Sequence, residues 1–227
     1  MNLEKRAAVH AALGEPIRLT LADHLVAGDA SPSDLAEILD LGTNLLAHHL
    51  KVLEAAGVIR RVRSEGDRRR SYVQLRLDNP VVRTSLAGHA TADPPRRLLF
   101  VCSANSARSQ LAAATWNSLS VVPAVSAGTH PALRVHPRAI AVAARHGLDL
   151  TQARPAAFDD RLDPADLVVA VCDNAHEELD PDLPRLHWSI PDPAPHDTDT
   201  AFETAFDDLN SRVHHLAALH PDHRKAS

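Results

Sequence analysis

The 227-residue sequence predicts two domains: a mainly helical one over residues 1–87, and a three-layer α/β sandwich with a parallel four-stranded sheet over residues 97–227. Two observations predict this division. The first part contains amphipathic helices followed by one hairpin. Strands and helices alternate along the second part, which is typical of parallel sheets. Residues 88–96, which include Pro94 and Pro95, are the predicted linker.

The first domain begins with helical patterns. Apolar residues recur along one side of residues 4–13 and 15–27, as they do in amphipathic helices. Ser31 then offers an N-cap, with Pro32 at the first helical position. The stretch GTNLLAHHLKVLEAAG, residues 42–57, predicts a further amphipathic helix that ends at its last glycine. The last two helices therefore predict a helix-turn-helix.

A hairpin rich in arginine follows. Residues 58–77 alternate between apolar and polar side chains around a turn at Gly66 and Asp67, which predicts two antiparallel strands. With the preceding helices, this hairpin completes the pattern of a winged helix-turn-helix. The net charge of the whole chain is −5, but residues 60–70 contain six arginines. This cluster predicts contacts with nucleic-acid phosphates, with a solvated surface turn as the alternative.

Residues 1–77 resemble the ArsR/SmtB-type repressors in the segments ALGEPIRLTLADHL, SPSDLAEILDLGTNLLAHHLKVLEAAGVI and GDRRRSYVQL. The resemblance implies a homodimer bound to operator DNA, with a recognition helix in the major groove and the hairpin as its wing. Two half-sites about one helical turn apart are then expected. The residues expected to contact DNA are Thr43, Asn44, His48, Arg68, Arg69 and Arg70.

The domain departs from many of these repressors in its sensor residues. Family members often bind metal or arsenite through cysteines, whereas residues 1–101 contain no cysteine. Arsenite requires soft thiolate ligands, so this domain is not expected to bind it. The histidines do not follow a ligand spacing, and no metal site is predicted.

The second domain is predicted to alternate strands with helices. Strands are expected over residues 97–102, 121–126, 167–172 and 186–190, and helices over residues 108–119, 137–146 and 200–218, with a further helix after Cys172.

The stretch LLFVCSANSARSQLAAATW, residues 98–116, carries the strongest chemical signal. A buried strand ends at Cys102, and a helix begins near Arg108. The backbone N–H groups between them can converge on a phosphate-like oxyanion, and the same positive field favours a thiolate. Ser109 could donate to the sulfur, and Asn105 tolerates left-handed backbone. The residues expected to bind the oxyanion are Ser103, Ala104, Asn105, Ser106, Ala107, Arg108 and Ser109. The structural alternative is a buried cysteine that closes a core strand.

Residues 97–218 resemble the low-molecular-weight protein tyrosine phosphatases and, more closely, the arsenate reductases that share their fold. The resemblance lies in VCSANSARSQLAAATW, VSAGTHPALRVHPRAI, ADLVVAVCDNAHEELD and LHWSIPDPA. It implies that Cys102 is the nucleophile, that Arg108 binds the anion, and that Asp192, followed by Pro193, is the general acid.

Three features favour arsenate over a phosphoester. Gln110 stands where phosphatases of this fold usually have proline, and the stretch DPAPHDTD, which begins at Asp192, contains no aromatic side chain such as could face a phosphotyrosine ring. Cys172 occupies the place of a second cysteine in thiol-relay reductases, although it could equally be a core residue at a strand end. Leu179 stands where thioredoxin-coupled relatives have a further cysteine. We therefore predict no bound cofactor and an external thiol reductant: mycothiol, glutathione with glutaredoxin, or thioredoxin.

The sequence contains no run of about 18 apolar residues and no secretory signal pattern, so a cytoplasmic protein without a membrane partner is predicted. The predicted function is a bifunctional transcriptional repressor and arsenate reductase in arsenic resistance. Two alternatives stay open: a tyrosine phosphatase fused to a DNA-binding domain, and a repressor that senses oxyanions without catalysis.

Overall fold

The computed structural model describes residues 2–86 and 95–220, which fall into two compact units divided near residue 89. Residues 88–94, most of the predicted linker, lie outside the described residues. Each unit has its own buried apolar core.

Residues 2–86 form five helices and one antiparallel hairpin. Ser31 caps its helix as the sequence predicts, because its hydroxyl accepts a hydrogen bond from the Asp34 N–H and the Asp34 carboxylate accepts one from the Ser31 N–H. The elements are α1 (Leu3–Leu13), α2 (Pro16–His24), α3 (Pro32–Ile38), α4 (Thr43–Ala55), β1 (Ile59–Arg63), β2 (Ser71–Leu75) and α5 (Pro80–Ser85).

The core of this unit lies between the helices and the hairpin. Leu21, Leu35 and Leu53 are fully buried, one each on α2, α3 and α4. The helix predicted over residues 15–27 is shorter than expected. It ends at His24, because the chain turns there to bury the side chains of Leu25 and Val26.

Residues 95–220 form four strands alternating with helices. The elements are β3 (Arg97–Cys102), α6 (Arg108–Leu119), β4 (Ala124–Gly128), α7 (Pro137–Arg145), β5 (Asp166–Ala170), α8 (Asp173–Glu178), β6 (Arg185–His187) and α9 (Asp199–Ala218). Among the described residues, no helix is long and apolar enough to cross a membrane.

The four strands make one parallel sheet in the order β4-β3-β5-β6, which confirms the predicted four-stranded parallel sheet. β3 lies between β4 and β5, so its carboxyl end is flanked on both sides. Its residues Leu98–Val101 are fully buried, as expected for a strand covered on both faces. The loop that follows Cys102 therefore starts from the middle of the sheet.

Three strand predictions differ from the structure. The strand expected over residues 167–172 is Asp166–Ala170, so Cys172 lies beyond it. The strand expected over residues 121–126 is Ala124–Gly128, because residues 121–123 turn and hold α6: the Trp116 indole N–H donates to the Val122 carbonyl oxygen. The strand expected over residues 186–190 is Arg185–His187. Beyond this strand, the Trp188 N–H still donates to the Ala170 carbonyl of β5, whereas the Ile190 N–H donates to the nearby Trp188 carbonyl.

Candidate active site

The two cysteines of the chain lie at the carboxyl edge of the sheet, at or just beyond the ends of neighbouring strands. Cys102 is the last residue of β3, and Cys172 follows β5 by two residues. The register pairs Val101 with Ala170, and the Val171 N–H donates to the Val101 carbonyl at 2.7 Å. Both thiols are buried. This edge of a parallel sheet is where α/β proteins place their binding sites.

The loop from Cys102 to Arg108, called here the anion loop, turns its carbonyl groups outward. The carbonyls of residues 102, 103, 104 and 106 accept hydrogen bonds of 2.8–3.1 Å from the N–H groups of Thr129, His130, Ala132 and His136. The carbonyl of residue 105 accepts from the Gln110 side chain at 3.2 Å. Because each peptide unit is planar and trans, the N–H groups of residues 103–107 point to the opposite side, inward.

The Cys102 sulfur lies on the inward side of the anion loop. The Asn105 N–H donates to this sulfur at 3.2 Å, and the Ser109 hydroxyl oxygen lies 3.1 Å from it. The same hydroxyl accepts a hydrogen bond of 2.8 Å from the Asn105 side-chain amide, so its own proton is available to the sulfur. Two donors are therefore directed at the Cys102 sulfur.

The Asn105 side chain makes several of the hydrogen bonds that hold the loop in place. Its φ of 48° is left-handed, and its side-chain oxygen accepts hydrogen bonds from the Ala156 N–H at 2.9 Å and from Gln110 at 3.1 Å. Gln110 also donates to the Arg154 carbonyl at 3.2 Å. The sequence indicated Gln110 only as a family marker, whereas the structure places its amide beneath the loop.

Gly128 is a supporting residue that the sequence analysis missed. A Cβ at this position would lie 2.6 Å from the Ser103 carbonyl oxygen and 2.9 Å from the Asn105 nitrogen, both atoms of the anion loop. The close approach of backbone to backbone therefore requires glycine. The only signal in the sequence was a glycine two residues beyond the strand predicted over residues 121–126, in the family-like segment VSAGTHPALRVHPRAI.

Arg108 and Asp192 meet beside the anion loop. The Arg108 guanidinium donates to the Ile190 carbonyl at 2.8 Å and lies 3.1 Å from the Asp192 carboxylate. The Arg108 side chain is only 4% exposed, whereas that of Asp192 is 36% exposed. The Ala194 N–H also donates to Asp192, at 3.1 Å. The structure thus brings a buried cation and a half-exposed carboxylate to the same loop.

Residues 97–225 match the family model described as low molecular weight phosphotyrosine protein phosphatase. The chain belongs to this family. Arsenate reductase 1 of Bacillus cereus (strain ATCC 10987 / NRS 248) is 33% identical over 130 residues, which cover 52% of this chain and 91% of that protein. The arsenate reductase of Brevibacillus brevis is 32% identical, covering 54% of this chain and 94% of that protein.

Among solved structures, the arsenate reductase from Archaeoglobus fulgidus DSM 4304 is 34% identical, covering 52% of this chain and 97% of that one, with a TM-score of 0.46. The sequence matches confirm the prediction of an enzyme domain of the low-molecular-weight phosphatase type, similar to arsenate reductases. Residues 97–225 are called the phosphatase-family domain below.

In the phosphatase-family domain, Cys172 lies close to the anion loop. Its sulfur accepts a hydrogen bond from the Ala175 N–H at 3.4 Å and lies 3.7 Å from the Ser103 hydroxyl oxygen. Burial raises the pKa of the Cys172 thiol to about 11; Arg108 lowers this pKa and Cys102 raises it. At neutral pH, Cys172 is therefore a protonated thiol.

In the first unit, the residues expected to contact DNA lie on two exposed surfaces. Thr43, Asn44 and His48 are exposed on α4, whereas the neighbouring His49 is buried. The His49 ring nitrogen lies 3.5 Å from the Glu15 carboxylate, at the start of α2. The predicted contact residues therefore lie on the exposed side of α4, together with Leu45, Ala47 and Lys51.

The wing arginines Arg68, Arg69 and Arg70 are all exposed. Asp67 binds the Arg69 guanidinium at 2.9 Å and lies 3.8 Å from Arg70. The hydrogen bond from Arg69 lowers the pKa of Asp67, so this carboxylate stays charged. Within the part of the chain that the structure describes, Arg68 has no ion-pair partner.

Proposed function

We propose that the phosphatase-family domain reduces arsenate, with Cys102 as the nucleophile. The observation that carries this proposal is the anion loop: its carbonyls point outward, the Asn105 N–H points at the Cys102 sulfur, and the loop ends at the buried Arg108. Such a ring of donors suits a tetrahedral oxyanion in contact with the sulfur. Similarity to proteins named arsenate reductase favours arsenate as that oxyanion.

In the first step, the Cys102 thiolate attacks arsenic and forms an S–As bond. A hydroxyl group of arsenate takes a proton from Asp192 and leaves as water, so arsenic stays in its +5 state. Arg108 and the loop N–H groups hold the remaining oxygens as charge redistributes. Asp192 is half-exposed and 3.1 Å from Arg108, a position from which it can reach an oxygen of the bound anion.

In the second step, an external thiol attacks the Cys102 sulfur. A mixed disulfide forms, the S–As bond breaks, and its electron pair reduces arsenic to arsenite. A second thiol then attacks the mixed disulfide and restores Cys102. The balance is one arsenate and two thiols to one arsenite, one disulfide and one water. An external thiol is favoured because Cys172, with its pKa raised to about 11, is a poor attacking group at neutral pH.

The test is arsenite release from the full chain supplied in turn with mycothiol, glutathione plus glutaredoxin, and thioredoxin. Cys102→Ser abolishes release, and Cys172→Ser leaves it nearly unchanged if the thiol is external. Hydrolysis of an aryl phosphate is the competing reaction. Strong ester hydrolysis without thiol-dependent arsenite release would favour the phosphatase function and contradict this proposal.

We further propose that residues 2–86 form an ArsR-type winged helix-turn-helix that binds operator DNA as a homodimer. The support is the helix order, the β1–β2 hairpin and the exposed residues Thr43, Asn44 and His48 at the start of α4. A recognition helix presents its N-terminal residues to base edges in the major groove.

Binding is measured by fluorescence anisotropy on a duplex selected from a randomised library, over a range of salt concentrations. Asn44→Ala weakens binding to the selected duplex more than to a scrambled duplex, because base contacts specify sequence. Equal affinity of the wild-type chain for both duplexes would contradict a role in operator recognition.

A further inference from the structure

The first turn of α7 lies between two loops of the active site. The His136 N–H donates to the Ser106 carbonyl of the anion loop at 2.8 Å. Two residues later, Arg138 Nε donates to the Asp197 carboxylate at 2.8 Å, and the same guanidinium also contacts Asp199. Asp197 belongs to residues 191–198, called here the acid loop because it carries Asp192. One turn of helix therefore connects the two loops.

The side chain of His136 strengthens this connection. Its Nδ1 accepts a hydrogen bond from the Arg138 N–H at 3.2 Å, which caps α7. Its Nε2 lies 3.6 Å from the Asp197 carboxylate. The ring stacks on Phe202 of α9, with centroids 4.7 Å apart. The start of α7 is thus held between the acid loop and the helix that follows it.

Hydrogen bonds within the acid loop link Asp197 to the residue that follows Asp192. Asp197 has a φ of 43°, which is left-handed. This conformation costs free energy and persists only where the surrounding contacts hold it. The N–H groups of His196 and Asp197 both donate to the carbonyl of Pro193, at 3.2 Å. Pro193 directly follows Asp192, so a change at Asp197 reaches the acid through a single hydrogen-bonded turn.

We propose that Arg138 is a positioning residue for the general acid, holding the acid loop so that Asp192 faces the oxyanion. This inference rests on the proposed function. The Arg138 side chain bonds to Asp197 and Asp199, which lie outside the anion loop. Its effect is on the position of Asp192 and not on the affinity of the anion loop for an oxyanion.

The variants are Arg138→Gln, Arg138→Lys and the control Arg145→Gln. Arg145 lies two turns further along α7 and pairs with Glu203 of α9, outside the acid loop. Arg138→Gln is expected to lower kcat for arsenate about tenfold while leaving inhibition by phosphate unchanged, because a small displacement of a catalytic group is costly. Arg138→Lys restores part of kcat, and Arg145→Gln changes neither quantity.

A double-mutant cycle with Asp192→Asn separates positioning from a general loss of stability. If Arg138 acts through Asp192, Arg138→Gln has no further effect on kcat in the Asp192→Asn background. The same fold loss in both backgrounds, or weaker phosphate inhibition in Arg138→Gln, overturns the proposal.

The cycle is run with an aryl phosphate if the wild-type chain hydrolyses esters but does not reduce arsenate. If it catalyses neither reaction, the proposed function fails, and hydrogen exchange of the His196 and Asp197 amides decides the inference. Faster exchange in Arg138→Gln, but not in Arg145→Gln, supports the restraint on the acid loop. Unchanged exchange in Arg138→Gln overturns it.

Discussion

Replacing Gly128 by alanine tests whether the anion loop depends on the neighbouring strand for its shape. The added methyl group would stand 2.6 Å from the Ser103 carbonyl oxygen and 2.9 Å from the Asn105 nitrogen. Neither atom belongs to a flexible side chain. The loop cannot retreat freely either, because the Thr129 N–H binds the Cys102 carbonyl at 3.1 Å.

The magnitude follows from overpacking. Forcing a methyl group into a packed region costs about 1–3 kcal/mol, through strain or movement of the backbone. Movement of the loop misdirects the N–H groups that bind the oxyanion, and a loss of about 1.4 kcal/mol in binding raises Kd tenfold. We therefore expect Gly128→Ala to weaken phosphate binding about tenfold or more and to lower the Tm of the phosphatase-family domain by a few degrees.

The assay is calorimetric titration of phosphate into the wild-type and variant chains, together with thermal unfolding. Gly42→Ala is the control for a methyl group added without a clash, because a Cβ at Gly42 meets no atom within 4 Å and residue 42 lies outside the phosphatase-family domain. If Gly128→Ala binds phosphate with wild-type affinity and its Tm is unchanged, the close packing of the anion loop against β4 does not determine the shape of the loop.

Three further predictions concern single side chains. Ser109→Ala removes a donor to the Cys102 sulfur, so alkylation of Cys102 by iodoacetamide at neutral pH slows about tenfold; an unchanged rate contradicts this. Because the pKa of Cys172 is raised to about 11, alkylation of this thiol accelerates only as the pH approaches that value. Rapid modification of Cys172 at pH 7, measured by mass spectrometry, would contradict this expectation. Arg68→Ala weakens DNA binding and its salt dependence more than Arg69→Ala, because Arg69 is already paired with a carboxylate. Equal losses in anisotropy titrations would show that the pairing is irrelevant.

The chemistry of the anion loop could be predicted because its signals are local. An apolar run that ends at Cys102 and a helix that begins at Arg108 define a strand, a turn and a helix within a few residues. The left-handed backbone at Asn105 follows the known tolerance of asparagine for that conformation. The arrangement needs no distant contact to be recognised, because each feature is set by the residues themselves.

The charge of the wing was predictable only in part. Counting arginines indicated a cationic hairpin, but not that Asp67 pairs with Arg69 and approaches Arg70. That pairing depends on how the turn bends, since it joins side chains two and three residues apart. The three arginines are equivalent in the sequence, whereas in the folded hairpin Arg68 alone of the three lies outside the ion pairs with Asp67.

By itself, the sequence determined the alternation of strands and helices and the position of the Cys102 sulfur between a strand and a helix, since both depend on residues close together in the chain. Only the tertiary structure decided what supports that sulfur: Gly128 from an adjacent strand, Gln110 beneath the loop, and the start of α7 joined to the acid loop through Arg138. The reason is physical. Parallel strands and their loops meet through hydrogen bonds between residues far apart in the chain, and no local pattern specifies which ones will touch.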